Sequence, residues 1–118
     1  MGDLSKNFSR SEFACPCCGK DDISQDLIDN LQLARDAIGL PFKINSGVRC
    51  VKHNAEVGGE PNSAHLRGMA ADIQCLDSHT RFRMLFDFIR RFKRIEIRET
   101  WLHVDIAKDL SQEVVFFK

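Results

Sequence analysis

Apolar positions along this chain recur at two different periods, and the changes of period mark its elements. Between Ser24 and Gly39, Leu27, Ile28, Leu31, Ala34 and Ile38 recur every three or four residues, which predicts a helix with one buried stripe. Ser24 stands at the N-cap position, Gly39 ends the helix and Pro41 follows as a stop. The next stretch, Phe42-Lys43-Ile44-Asn45, alternates and predicts a short strand running into Ser46-Gly47. Val51 to Val57 predicts a brief helix halted by Gly58-Gly59. Ala70 to Cys75 predicts a strand with Ala71, Ile73 and Cys75 on one face and Asp72 on the other. Ser78 is placed to cap a second long helix, whose core stripe is expected at Phe82, Leu85, Phe86 and Ile89. Arg94 to Ile97 and Leu102 to Ile106 alternate as a hairpin joined through Arg98 to Trp101. Val114, Val115 and Phe116 are candidates for an edge strand.

These elements imply an α+β layer arrangement, a small antiparallel sheet with helices on one face. In the last hairpin strand Leu102, Val104 and Ile106 are expected to face the core, which turns Trp101, His103 and Asp105 to the opposite face. In the middle strand Ile73 faces the core and Asp72 the open side. His65 enters from the loop before that strand, so two imidazoles and one carboxylate converge.

With 118 residues the chain is expected to form one domain, 1–118, around a single modest core and to act as a monomer. Its 17 basic and 17 acidic residues balance, which offers nothing for nucleic acid or a polybasic membrane patch. No apolar run reaches the roughly 20 residues that a spanning helix needs. Met1 to Phe13 lacks an apolar signal core, so action outside the cytoplasm would require another export route, such as phage-type delivery. Three of the five cysteines cluster in Cys15-Pro16-Cys17-Cys18, while Cys50 and Cys75 are single and distant. The cluster resembles half of a zinc knuckle with no second Cys-x-x-Cys or His pair after it. Free, buried or half-buried thiols are the expectation, and a second, structural zinc is the alternative.

The candidate chemistry lies in His65, Asp72 and His103. Neutral imidazoles and a carboxylate form a mixed N/O set suited to Zn²⁺, and three protein ligands leave a fourth position for water, which separates a catalytic zinc from a structural one. A lone histidine is more often a surface or satisfied core residue, and His53 and His79, with no partner spacing, are read that way. The surroundings of the other two change the reading. Ser46-Gly47-Val48-Arg49, Asn54, Gly58-Gly59, Asn62-Ser63, His65, Gly68, Ala70 and Asp72 form an ordered series, followed by His103-Val104-Asp105. From about Phe8 to Asp109 the chain resembles the zinc D-Ala-D-Ala carboxypeptidase family in its short single-domain branch. The resemblance implies the fold shared with the hedgehog signalling domain and one zinc per chain on His65, Asp72 and His103. It also implies substrates among peptidoglycan stem or cross-bridge peptides.

The same resemblance places an active-site arginine at Arg49, whose bland alternative is a solvated charge at a strand end. An arginine beside zinc can hold an oxyanion or a substrate carboxylate. Ser63 is either a substrate contact or a turn hydroxyl bonding its own backbone, and Trp101 either stacks on substrate or shields the metal. The family commonly carries a carboxylate three residues before the second histidine, where this chain has Thr100. Glu99, in the expected turn, is the first choice for general base. Glu96 is the second, because a Leu102–Ile97 pairing would set it across from His103. Asp105 is expected to support His103 from behind. The function so implied is a zinc peptidase acting on cell-wall peptides, endolysin-like in context. A zinc-stabilised binding or virion-structural module of the same fold is the alternative.

Overall fold

In the computed structural model, which describes residues 2–117, the stripe between Ser24 and Gly39 folds as helix α1 (Gln25–Ile38) with Leu27, Ile28, Leu31, Ala34 and Ile38 buried. Ser24 is its N-cap in extended conformation, without a side-chain bond to the helix, and the Gly39 N–H donates to the Arg35 carbonyl at 2.8 Å. Strand β1 is Ile44–Ser46, helix α2 is Val51–Glu56 and strand β2 is Ala70–Gln74. Helix α3 (Ser78–Arg91), strand β3 (Arg94–Ile97), strand β4 (Trp101–Asp105) and strand β5 (Val114–Phe117) complete the chain. Two 3₁₀ turns, Arg10–Phe13 and Ala64–Arg67, interrupt the loops.

The sheet has the order β1-β2-β4-β3-β5. Its first four strands pair antiparallel, and β5 joins β3 in parallel, so the sheet is mixed. Ala71, Ile73, Ile95, Leu102 and Val104 project from one face into the main core with the α1 stripe. Alternation then sends Asp72, Glu96 and His103 to the other face.

Helix α3 departs from the expected packing in two ways. Its cap is Asp77, whose carboxylate accepts from the Thr80 N–H at 2.8 Å, one residue before the expected Ser78. Its buried apolar residues are Met84 and Phe88, with Leu85 packed at the core margin, whereas Phe82, Phe86 and Ile89 are 68%, 71% and 60% exposed. The helix carries two apolar rows, and periodicity alone does not choose between them. The row Met84-Phe88-Phe92 runs on into the C-cap, and Phe88 meets Phe42 and Phe92 edge-to-face at 5.8 and 5.4 Å. That continuous aromatic contact turns the other row outward. Asp87 is buried beside it and is satisfied by Arg90 and Arg91 at 2.9 and 2.6 Å.

Candidate active site

The site is built on strand register. Asp72 faces His103 directly across the β2–β4 ladder, and Glu96 faces His103 across β3–β4. A row of carboxylate, imidazole and carboxylate therefore crosses the open face of the sheet, one side chain per strand. His65 reaches this row from the turn Ala64–Arg67, which Ser63 caps by accepting the His65 N–H at 3.2 Å.

Each imidazole is held from behind. His65 Nδ1 donates to the Gly47 carbonyl at 2.6 Å, which directs Nε2 toward Asp72 Oδ1 at 3.1 Å. His103 Nε2 contacts Asp105 Oδ2 at 2.8 Å, which directs Nδ1 toward the same Asp72 Oδ1 at 2.9 Å. Asp105 in turn is gripped by Arg94, whose Nε lies 2.9 Å from Oδ1 and 3.1 Å from Oδ2. Arg94, which the sequence reading passed over, stands opposite Asp105 in the β3–β4 register. The signal that would have found it is the pairing that places Glu96 across from His103.

One donor atom from each of His65, Asp72 and His103 lies within 4.8 Å of the other two, and all three residues are buried. The donor set fits a divalent cation. Two imidazole nitrogens and one carboxylate oxygen converge, and their remaining ring nitrogens are already satisfied by a carbonyl and a carboxylate, the usual backing of metal-bound histidine. Without a cation, protons must fill the same space. Burial would lower the His103 pKa, but its bonds to Asp105 and Asp72 raise it instead to about 9. Burial would likewise raise Asp72, yet hydrogen bonds from His103 and His65 hold it well below the usual carboxylate range. Asp105, which burial would also raise, is kept low by His103 and Arg94.

Arg49 closes one side of the row. Its Nε donates to Ser46 Oγ at 3.0 Å, Nη1 to Asn54 Oδ1 at 3.1 Å and Nη2 to Asp72 Oδ2 at 3.2 Å. Asn54 is buried on α2 and also donates to the Glu60 carbonyl at 2.9 Å, so it positions the guanidinium. The sequence series contained Asn54 without showing this role. Gly59 packs over the pair. A Cβ there would come within 2.0 Å of Asn54 Oδ1, so the backbone approach demands glycine.

These groups line a cavity of about 440 Å³ that includes Arg49, Ser63, His65, Asp72, Glu96, Arg98, Trp101, His103 and Asp105. Arg98 stacks over the Trp101 ring at 4.7 Å and pairs with Glu96 at 3.2 Å. Glu99 is exposed in the turn between β3 and β4 and does not line the cavity, so the fold does not bring it to the row. Thr100 is exposed as well, and His53 and His79 lie away from the cavity on α2 and α3.

A family model described as Peptidase M15 matches residues 6–105 of the 118. The chain belongs to the peptidase M15 family. The match spans the sheet from β1 to β4 and every residue of the His65–Asp72–His103 group. It supports a metallopeptidase, a peptide substrate and the α+β fold described above. No curated protein matches the chain. Among the described residues no helix is long and apolar enough to cross a membrane.

Proposed function

We propose that this M15 peptidase hydrolyses amide bonds in peptidoglycan stem or cross-bridge peptides, as a D,D-carboxypeptidase or endopeptidase, with one zinc on His65, Asp72 and His103. When bound there, zinc would supply Lewis acidity and lower the pKa of a water on its open side. The observation that carries the reading is the cross-strand pairing of Glu96 with His103, because it puts a carboxylate in the cavity beside the three-donor group. Glu96 takes the place that the sequence reading gave first to Glu99. Its carboxylate accepts the proton of the attacking water and returns it to the leaving amine, the two halves of general acid–base catalysis.

Arg49 holds the oxygen of the substrate amide as negative charge develops, or the terminal carboxylate of a short stem peptide. Its five N–H groups leave two free after the three bonds to Ser46, Asn54 and Asp72. Asp105 keeps His103 oriented and Trp101, braced by Arg98, offers an aromatic wall to substrate. The Ser63 oxygen accepts the His65 N–H, and its hydroxyl proton remains for a substrate in the cavity that Ser63 lines. Such an activity belongs at the cell wall, in keeping with an endolysin-like context.

The deciding experiment is digestion of purified peptidoglycan by the zinc-loaded protein, with mass spectrometry of the released muropeptides. Loss of a terminal D-Ala, or cleavage of cross-bridges, is the expected result. No cleavage of any muropeptide by a zinc-saturated, folded protein would leave the metal with a structural role only.

A further inference from the structure

We propose a second metal site, outside the lining of the cavity, in which the thiolates of Cys15, Cys18 and Cys50 hold a structural zinc. The three sulfurs lie within 4.8 Å of one another, and none of the three residues lines the cavity. Cys15-Pro16-Cys17-Cys18 supplies a Cys-x-x-Cys spacing, and Gly19, at φ 79°, turns the chain back so that its N–H donates to the Cys15 carbonyl at 2.8 Å. The Cys15 N–H donates to the Lys20 carbonyl at 2.7 Å and closes the knuckle. The partner that the sequence lacked nearby comes from far along the chain. Cys50 is the N-cap of α2, and its sulfur accepts the His53 N–H at 3.4 Å.

The separation of the sulfurs is too long for a disulfide and is compatible with a shared metal. Cys15 Sγ and Cys50 Sγ are 3.8 Å apart. A tetrahedral zinc with Zn–S bonds of about 2.3 Å separates its sulfurs by about 3.8 Å, whereas a disulfide needs about 2.05 Å. Backbone N–H groups of Cys50, Cys17 and Cys18 further serve the Cys15 sulfur, and that of Lys20 serves the Cys18 sulfur. On binding, each thiol gives its proton to solvent and no electron moves. Cys17 is exposed, hydrogen-bonds to the Cys50 sulfur and is not one of the three grouped thiols, so the fourth position is left to water or another ligand. The metal would tie the amino-terminal segment to the residue that follows Arg49, next to the point where the Val48 N–H already bonds the Phe13 carbonyl at 2.8 Å. Soft sulfur donors select zinc or another thiophilic divalent ion over the harder cations.

The test separates the two sites by their ligands. Protein purified under a thiol reductant and saturated with zinc should carry two equivalents per chain. His65→Ala/His103→Ala should retain one, and adding Cys18→Ser should remove it. Cys18 is exposed, so this change should leave the circular dichroism spectrum intact. With Co²⁺ alone, the double histidine variant should show an intense near-ultraviolet thiolate-to-cobalt charge-transfer band that disappears with Cys18→Ser. If the double variant does not fold, the same drop from two equivalents to one is read in Cys18→Ser alone. A folded protein without that band, with an equivalent count unmoved by Cys18→Ser, or with a Cys15–Cys50 disulfide that survives the reductant, overturns the site.

Discussion

Arg49 and Asp72 share a carboxylate in a divided way. Nη2 of the arginine lies 3.2 Å from Oδ2, while both histidines converge on Oδ1 at 2.9 and 3.1 Å. Asp72 thus ties the two imidazoles of the candidate metal site to Arg49, the group proposed to meet substrate, and a displacement of one is felt by the other. Arg49 is only partly accessible, its pKa lowered by burial against the pull of Asp72 and Glu96, yet an arginine stays charged throughout the working range.

Arg49→Lys should retain one positive charge and lose most of the activity. An ammonium on a flexible stem cannot make the three directed bonds to Ser46, Asn54 and Asp72 and still present two donors to substrate. Removal of one oxyanion contact typically costs on the order of 10²–10³ in kcat. Steady-state kinetics beside zinc analysis is the check: turnover should collapse while the metal at the histidine site stays. A fully active lysine variant would remove Arg49 from the reaction and leave it a structural partner of Asp72.

Glu96→Gln should lower turnover by about 10²–10⁴-fold, the usual contribution of a general acid–base group. Glu99→Gln should be nearly silent, because Glu99 is exposed and outside the cavity. Zinc content should be unchanged in both. The reverse pattern would restore the turn residue as the base and require the β3–β4 turn to fold over the site.

Zinc binding to the histidine site should release protons and strengthen as pH rises. The metal-free His103 ring, with its pKa raised to about 9, is largely protonated at neutrality and must give up that proton to bind a cation. Calorimetric titration in buffers of different ionisation enthalpy will count the proton. The metal-free fold should behave in the opposite sense. A raised His103 pKa stabilises it fully below about 6.5, the ordinary histidine value, and this contribution is lost as pH climbs through about 9. Asp72, depressed, contributes above the ordinary carboxylate range and fails only in acid. A chelated sample whose Tm rises between pH 7 and 10 would contradict the assignment.

Asp105→Asn should weaken zinc at the histidine site by about 10–100-fold, the usual cost of removing a partner that orients a ligand imidazole. The change also leaves Arg94 facing a neutral amide where it now has a carboxylate at 2.9 Å, so Tm should fall as well. Competition with a chromogenic chelator measures the affinity. An unchanged value would mean that His103 is oriented by β4 alone.

On α3, Phe88→Ala should destabilise by about 3–5 kcal/mol as a core cavity forms, while Phe86→Ala should stay within about 0.5 kcal/mol, as surface changes usually do. Phe88 is fully buried and Phe86 is 71% exposed. Urea unfolding of both variants distinguishes this packing from the one that the apolar row Phe82-Phe86-Ile89 would favour.

Much of this molecule was legible before folding. Periodicity located α1, the strands and the hairpin, because helix and strand repeats are local properties of the chain. Alternation about Ile73 and Leu102 placed Asp72 and His103 on the open face, and the motif around His65 supplied the third donor of the group. Tertiary structure alone decided what depends on partners distant in sequence. Which apolar row of α3 turns inward depends on the ring of Phe42, 46 positions before Phe88, and not on the helix itself. Strand register set Glu96 opposite His103 and left Glu99 in the exposed turn, since cross-strand neighbours are set by pairing and a turn residue has none. Cys50 looked solitary in the sequence and meets Cys15 where the Val48 N–H bonds back to the Phe13 carbonyl. A sequence states which groups a chain owns; where two remote groups meet depends on loop closure and core packing, which no local window contains.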